Sequence, residues 1–414
     1  MRRGQLGLVA AAVSIIVSAS PGLAQEPLTI TEEELVSRAL SRASLAEVIT
    51  GNVAAEAGRA RTAGAWPNPE LSYTREQTFN NAGSGEDYLM LTQSFDLGGR
   101  YGLRQEAGDA RAAAVRKDGE AVRLSVTAAA RERFFDLLYR QQRVAALETW
   151  TAQVADALSA VTKREKGGDV AAYDRRRFER EQAVAASRLA AEGSQLELAR
   201  GRAQALVDGS APLTAKGALI PDADPPPLDE VHERSRSRPD LVALELQAQA
   251  RVLEGRAASR WWAPQVSLQG GWKGVQINSG GRTDGFVVGG LLSLPLWNRQ
   301  QGLAQTAEAE ERSARGRRAL LESELKAELS GARQQATRLR KAALELRTRV
   351  REASADVVRM ASLGYQSGEL GVLELLDAYR GGVEDELSAL DLEHGARLAR
   401  IELDRLAGST GATP

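Results

Sequence analysis

Three stretches of the chain alternate apolar and polar positions with a period of two. In VSLQGGW, Val266, Leu268 and Trp272 stand against Ser267 and Gln269. In FVVGGLLSLPL, Phe286, Val288, Leu292, Leu294 and Leu296 stand against Gly289 and Ser293, and upstream Leu89, Leu91, Phe95 and Leu97 alternate with Met90, Thr92, Ser94 and Asp96. Such alternation predicts strands with one apolar face. A more polar stretch from Leu71 to Phe79 predicts a fourth, weaker strand. The segments NNAGSG (80–85) and NSGGRT (278–283) between the strands are too polar and Gly-rich to be buried. Proline is absent from residues 99–211 and, apart from Pro414, from everything after Pro295, so both stretches predict uninterrupted helix. Gly98 to Gly168 and Asn298 to Gly368 each span 70 positions, and a helix of that length runs about 105 Å. It needs lateral partners, as in a coiled coil or a tube of helices.

The two halves resemble each other. RTAGAWPNPELSYT and LTQSFDLGGRYGL in the first are matched by RAASRWWAPQVSLQ and LLSLPLWNRQQGL in the second. Pro69 pairs with Pro264, Ser94 with Ser293, Leu97 with Leu296, Arg100 with Arg299 and Gly168 with Gly368, at offsets of 195 to 200. Each half reads as a short helix, two strands, a long helix, a Gly-acid turn and a returning helix. The expected organisation is a signal peptide at 1–24, a first repeat at 25–210, a Pro-rich connector at 211–227, a second repeat at 228–408 and a tail at 409–414. The leader reading rests on Arg2 and Arg3, the apolar stretch from Leu6 to Val17, and the small residues Gly22 and Ala24. Export is therefore expected. With no cysteine there is no disulfide framework and no lipid acceptor at the cleavage point.

The 54 basic and 55 acidic residues leave a net charge of −1, which disfavours nucleic acid as a partner. No apolar run after residue 24 could span a bilayer as a helix, so membrane residence would require strands of a closed barrel. Four strands cannot close one, because the smallest single-chain membrane barrels use about eight. Either other chains supply strands or the sheet is an ordinary soluble one.

Acids follow each Gly break: Asp169 after Gly168, Glu369 after Gly368, and further acids along the returning helices. Helical spacing puts Leu370, Leu373, Leu376, Val383, Leu387 and Leu390 on one stripe and Glu374, Asp377, Glu384 and Asp391 on the next. Glu374 and Asp377, at i and i+3, project together; a solvated helix face is the alternative. His232 and His394 are isolated and Met90 and Met360 are the only methionines beyond the first, so no metal site is expected. No nucleophile motif or nucleotide-binding Gly-rich loop is present, and neither catalysis nor a cofactor is expected. The runs Arg175, Arg176, Arg177 and Arg347, Arg349, Arg351 read as solvated helix faces. Trp66, Trp261, Trp262 and Trp297 cluster at strand ends, as in an interfacial aromatic belt or a strand-helix junction.

PNPELSY (67–73), QSFDLGGR (93–100), RPDL (238–241), LPLWNRQQG (294–302) and LGYQSGELGVLELLDAY (363–379) together resemble the outer membrane factor family of exported channels typified by TolC. The resemblance runs from about Leu28 to Gly408 and is greatest to the CzcC-like branch that serves heavy-metal efflux. It implies a mainly α fold with a small β part: a trimeric outer membrane β-barrel, four strands per protomer, continuing into a long periplasmic α-helical barrel. It implies a homotrimer in outer membrane lipid that passively conducts substrates, heavy-metal cations in this branch. These are delivered by a periplasmic adaptor and an inner membrane RND-type pump. It assigns Tyr365, Glu374, Asp377 and Asp174 to the gate and lumen, and Gly168, Asp169, Gly368 and Glu369 to the adaptor-contacting tip. One departure is Leu370, where the family often carries an Arg that pairs with the first-repeat acid. The alternatives are a duct for drugs or secreted proteins, and a soluble periplasmic coiled-coil scaffold.

Overall fold

The computed structural model describes residues 28–79, 84–207, 211–277 and 280–410. The leader at 1–24, Pro414, and residues 80–83 and 278–279 of the two strand-linking segments lie outside the described residues. The chain opens with β1 (Leu28–Ile30), then α1 (Glu32–Leu40), whose N-terminus is closed by a reciprocal Thr31–Glu34 capping box, and α2 (Ala43–Gly64). Two strands, β2 (Glu70–Gln77) and β3 (Ser84–Asp96), lead into α3 (Arg100–Gly167) and its return, α4 (Ala172–Gln204). The connector contributes β4 (Leu213–Ala215), which pairs in parallel with β1.

The second half repeats the order. After α5 (Leu228–Arg236) and α6 (Pro239–Ser259) come β5 (Gln265–Ile277) and β6 (Gly281–Ser293), then α7 (Gln301–Leu346), α8 (Glu352–Ser367) and α9 (Val372–Leu406). The duplication read from the sequence is therefore structural. The two small β elements and the β1–β4 pairing were not legible: three-residue strands carry no alternation to read.

The four long strands form one antiparallel sheet in the order β2-β3-β5-β6. Register aligns their apolar positions: Leu71 faces Leu91, Leu89 faces Trp272, and Trp272 faces Phe286. One face thus carries Leu71, Tyr73, Leu89, Leu91, Leu268, Phe286, Val288 and Leu292, all exposed, with Phe286 at 86 % and Val288 at 77 %. The other face is mostly polar: the Ser94 and Ser267 hydroxyls share a hydrogen bond of 2.8 Å, and the Lys273 ammonium pairs with Glu86 at 2.8 Å. The outer edges of β2 and β6 have no strand beside them among the described residues.

The 68 residues of α3 make a helix about 100 Å long. Its counterpart is not uniform. Between α7 and α8 the residues Arg347–Arg351 form a π-helical turn. Thr348 and Val350 are β-branched, and the Thr348 hydroxyl donates to the Leu344 carbonyl at 2.9 Å, competing with the helical ladder. Three arginines within five residues add mutual repulsion. These local costs coincide with the π-helical turn of the second long helix, which α3 does not have.

The core is a series of thin clusters strung along the helices. One gathers α1, α3 and the connector around Phe134, Phe135, Leu137, Leu213 and Leu219. A second, near the Gly turns, joins Trp150, Val154, Val161, Phe178, Tyr365, Leu375, Leu376 and Tyr379. Buried charge ties distant elements together. Arg131, 6 % exposed, pairs with Glu32 at 2.5 Å and with Asp404 at 3.0 Å, and Asp404 also takes Arg400 at 3.0 Å. Removing Asp404 leaves the buried Arg131 guanidinium with Glu32 as its one remaining carboxylate among the described residues, so Asp404→Ala is expected to destabilise the fold by about 3 kcal/mol, read as a lowered unfolding midpoint, whereas Glu402→Ala, which removes a half-exposed pair with Arg405, should change it by less than about 1 kcal/mol.

Candidate functional site

Each helical hairpin turns on a glycine. Gly168 has φ 86° and Gly368 φ 83°, in the left-handed region where a Cβ is strained. The turns are closed alike: Asp169 N–H donates to the Arg164 carbonyl at 3.0 Å, and Glu369 N–H to the Gly364 carbonyl at 2.9 Å. A side chain at either glycine would meet nothing within 4 Å, so conformation alone requires glycine. Asp169 and Glu369 are exposed at the extreme end.

The structure corrects the apolar stripe read along α9. Leu373 and Leu370 are exposed, at 54 % and 37 %, while Val372, Leu375, Leu376, Tyr379, Val383, Leu387 and Leu390 are buried. The helix begins only at Val372, and the turn folds Leu370 back against Gly364, whose missing side chain makes room for it. The packing seam is therefore set one position off the predicted stripe at this end.

The four acids of the stripe read along α9, Glu374, Asp377, Glu384 and Asp391, separate into two kinds. Glu384 pairs with Arg188 of α4 at 2.6 Å, and Asp391 takes both the Tyr139 hydroxyl, at 2.6 Å, and Arg143, at 2.5 Å. Nearby His394 stacks on Tyr139 at 4.2 Å, and burial pushes its imidazole below the ordinary value. These upper acids are held by the chain's own cations. Glu374 and Asp377 are exposed and make no ion pair among the described residues; Arg380, the cation on their own face, is engaged bidentately by the buried Glu181 of α4.

Tyr365 is 4 % exposed, and burial pushes its phenol above the ordinary value, with Asp174 pushing the same way and Arg164 pulling it down. The structure thus brings Tyr365 and Asp174, from different hairpins, into one electrostatic neighbourhood. Arg164 joins them, a residue that the sequence reading missed. Its guanidinium lies 4.7 Å from the Tyr365 ring centre and donates to the Gln366 carbonyl at 2.9 Å, tying the two turns together. The readable signal was the repeat offset: Gly364 stands at the position matching Arg164, so one cation serves both hairpins. The closing pair lost at Leu370 thus has a contact of another kind in its neighbourhood.

No family model matches the chain. Its sequence is 26% identical over 351 residues to the cobalt-zinc-cadmium resistance protein CzcC of Cupriavidus metallidurans, covering 83% of this chain and 81% of that one. Its fold matches a membrane protein from Pseudomonas aeruginosa at a TM-score of 0.75 and 21% identity, over 91% of this chain and 92% of that one. It matches the CusC channel at 0.74 and 19% identity over the same shares. The chain has the fold of these proteins. Within that fold the sheet keeps its apolar face exposed, and each helical hairpin carries its glycine turn at the end away from the strands.

The Tyr365 hydroxyl is informative, because it is buried and makes no hydrogen bond of good geometry among the described residues, with the Arg164 guanidinium as its polar neighbour. Tyr365→Phe is expected to leave stability unchanged within about 1 kcal/mol, whereas Tyr365→Ala should cost about 3 kcal/mol by emptying the cluster around Phe178 and Leu375. Thermal unfolding of both variants checks this.

Proposed function

We propose that the protein is the passive exit duct of a tripartite efflux system, a homotrimer that conducts heavy-metal cations delivered by a periplasmic adaptor and an inner membrane RND-type pump. The observation that carries this reading is the sheet: four strands with an exposed apolar face and two open edges, continuous with a helix of 68 residues. Lipid tolerates no unpaired strand edge, so the edges must be closed by other chains. Three copies give twelve strands, enough for an aqueous bore, and the same threefold axis closes the helices into a tube. A soluble scaffold would instead have to cover Phe286 and Val288, and nothing in the described chain does.

The name of the cobalt-zinc-cadmium resistance relative supports metal cations as cargo over drugs or secreted proteins. Glu374 and Asp377 support it on physical grounds. Two exposed carboxylates per chain, outside any ion pair among the described residues and repeated three times around a narrow mouth, would raise the local cation concentration there. The Gly168-Asp169 and Gly368-Glu369 turns are the end that would meet the adaptor, with Tyr365, Asp174 and Arg164 holding the two hairpins in one arrangement. Residues 1–24 would direct export and be removed.

Glu374→Gln with Asp377→Asn removes the charge at nearly constant volume. In planar bilayers the parent should conduct with a preference for cations and be blocked by divalent cations from the periplasmic side. The double variant should lose most of that preference and block while keeping its trimer mass. Unchanged selectivity and block would return both acids to the role of surface charges, and absence of any conductance in the parent would remove the duct.

A further inference from the structure

The two ends of the four-stranded sheet differ in how their charges are spent. Toward the end away from the helices, each of the three cations carried by the strands has a carboxylate: Arg75 with Asp87 at 3.7 Å, Lys273 with Glu86 at 2.8 Å and Arg282 with Asp284 at 3.3 Å. At the end where the strands meet the helices, the acid is already taken. Asp96, the last residue of β3, is held by the Arg100 guanidinium at 2.8 Å and by the Tyr101 N–H at 3.2 Å. No Asp or Glu occurs between Glu254 and Asp284 or between Asp284 and Glu308, so the junctions entering β5 and leaving β6 carry Arg260 and Arg299 with no acid of their own. Both arginines are exposed, and neither makes an ion pair among the described residues.

Their contacts fix their level. Arg260 donates to the Gly98 carbonyl at 2.8 Å, just past the end of β3, and Arg299 donates to the Leu296 carbonyl at 3.3 Å while its guanidinium lies 5.1 Å from the centre of the Trp261 ring. The same level carries exposed tryptophans: Trp297 is 86 % exposed, Trp262 68 % and Trp66 57 %. Trp66 meets Phe95 edge-on with ring centres 5.8 Å apart, and Phe95 lies on the face of β3 that carries Leu91, so Trp66 marks the helix end of the apolar face. Packing at a strand-helix junction accounts for Trp261, half-buried beside Arg299, and leaves the other three unexplained.

Indole rings gain by sitting at the boundary between hydrocarbon and headgroups, with an apolar ring on one side and a wet N–H on the other. An unpaired cation at the same depth selects the headgroup by charge, and the arginine fork matches phosphate oxygens. Pairing of the sheet edges with neighbouring copies would not cover this site, because Arg260 and Trp262 lead into β5, which already has β3 on one side and β6 on the other.

We propose that the strand-helix junction is a binding collar for anionic phospholipid, with the phosphate taken by Arg260 and Arg299 beside Trp262 and Trp297 and the acyl chains lying on the apolar face of the sheet. That the face lies in lipid rests on the duct reading; the class of lipid, and the end of the sheet that holds it, follow from the charges. The test uses the full chain in phosphatidylcholine bilayers and reads quenching of its own tryptophan fluorescence by brominated phosphatidylglycerol against brominated phosphatidylcholine. The relative association constant should favour phosphatidylglycerol by at least about fivefold, the effect of one arginine near an anionic headgroup. It should shrink toward unity in about 1 M salt. Arg260→Gln with Arg299→Gln should bring the two lipids level, whereas Arg282→Gln, at the other end of the sheet, should leave the preference unchanged. Equal quenching by the two lipids in the parent, a preference that survives the double substitution, or an equal loss in Arg282→Gln would each overturn the collar. The comparison of lipids and of salt in the parent needs no variant, so it decides the matter even where a substituted chain fails to assemble. Quenching without preference fails the collar and leaves the duct standing; absence of quenching by either lipid removes the sheet from the bilayer, and both readings fall.

Discussion

The backbone groups along the free edges of β2 and β6 govern the rest of the structure. In a bilayer an unpaired N–H or carbonyl costs several kcal/mol, and each edge presents a row of them beside a face of Leu71, Phe286 and Val288 that only lipid can cover. In the proposed duct both demands are met together by closing the sheet on copies of itself. The strands would then fix the helices: α3 follows β3 after three residues and α7 follows β6 after seven, so in the proposed duct the wall of the tube inherits the circumference set by the barrel.

Within that wall the chain uses its charges unequally. High on α9 the carboxylates are consumed by cations from α3 and α4, through Arg143–Asp391 and Arg188–Glu384, and this pins the helices laterally without a large apolar core. At the end that carries the glycine turns, Arg380 is drawn away to Glu181, and Glu374 and Asp377 are left facing outward. A protein that needed these acids only for solubility would gain by pairing them with Arg380 instead. Leaving them unpaired concentrates negative potential at one level of the molecule, and that is the physical content of the gate reading. Arg164 on Tyr365 gives the same end a contact between hairpins that separates without breaking a buried ion pair.

Much of this was legible in the sequence because it rests on local rules. Period-two alternation, proline avoidance and the matched offsets between halves carry the strands, the long helices and the duplication, and Gly168 and Gly368 announce their positive φ by residue type. What escaped depends on contacts far apart in sequence or on small energy differences. Arg131 meets Asp404 and Arg164 meets Tyr365 across most of the chain, and no spacing rule reaches that far. The π-helical turn at Arg347–Arg351 reflects a local competition between the Thr348 hydroxyl and the helical ladder. At Leu373 the periodic pattern was read correctly but phased wrongly, because α9 starts one turn after the glycine and its first leucines are not yet in the seam.

Closure of the sheet by identical chains is the claim on which the account stands, and the absence of cysteine from the sequence makes it directly measurable. Ser72→Cys on the polar face of β2 can be combined in turn with a cysteine at Val287, Gly289 or Leu291 on the same face of β6. Oxidation in intact outer membranes, followed by denaturing electrophoresis, then reads which edges are neighbours. The account predicts that at least one pair gives covalent dimers and trimers, with the ladder ending at three. No species above the monomer for any pair, or a ladder that runs past three, would contradict it.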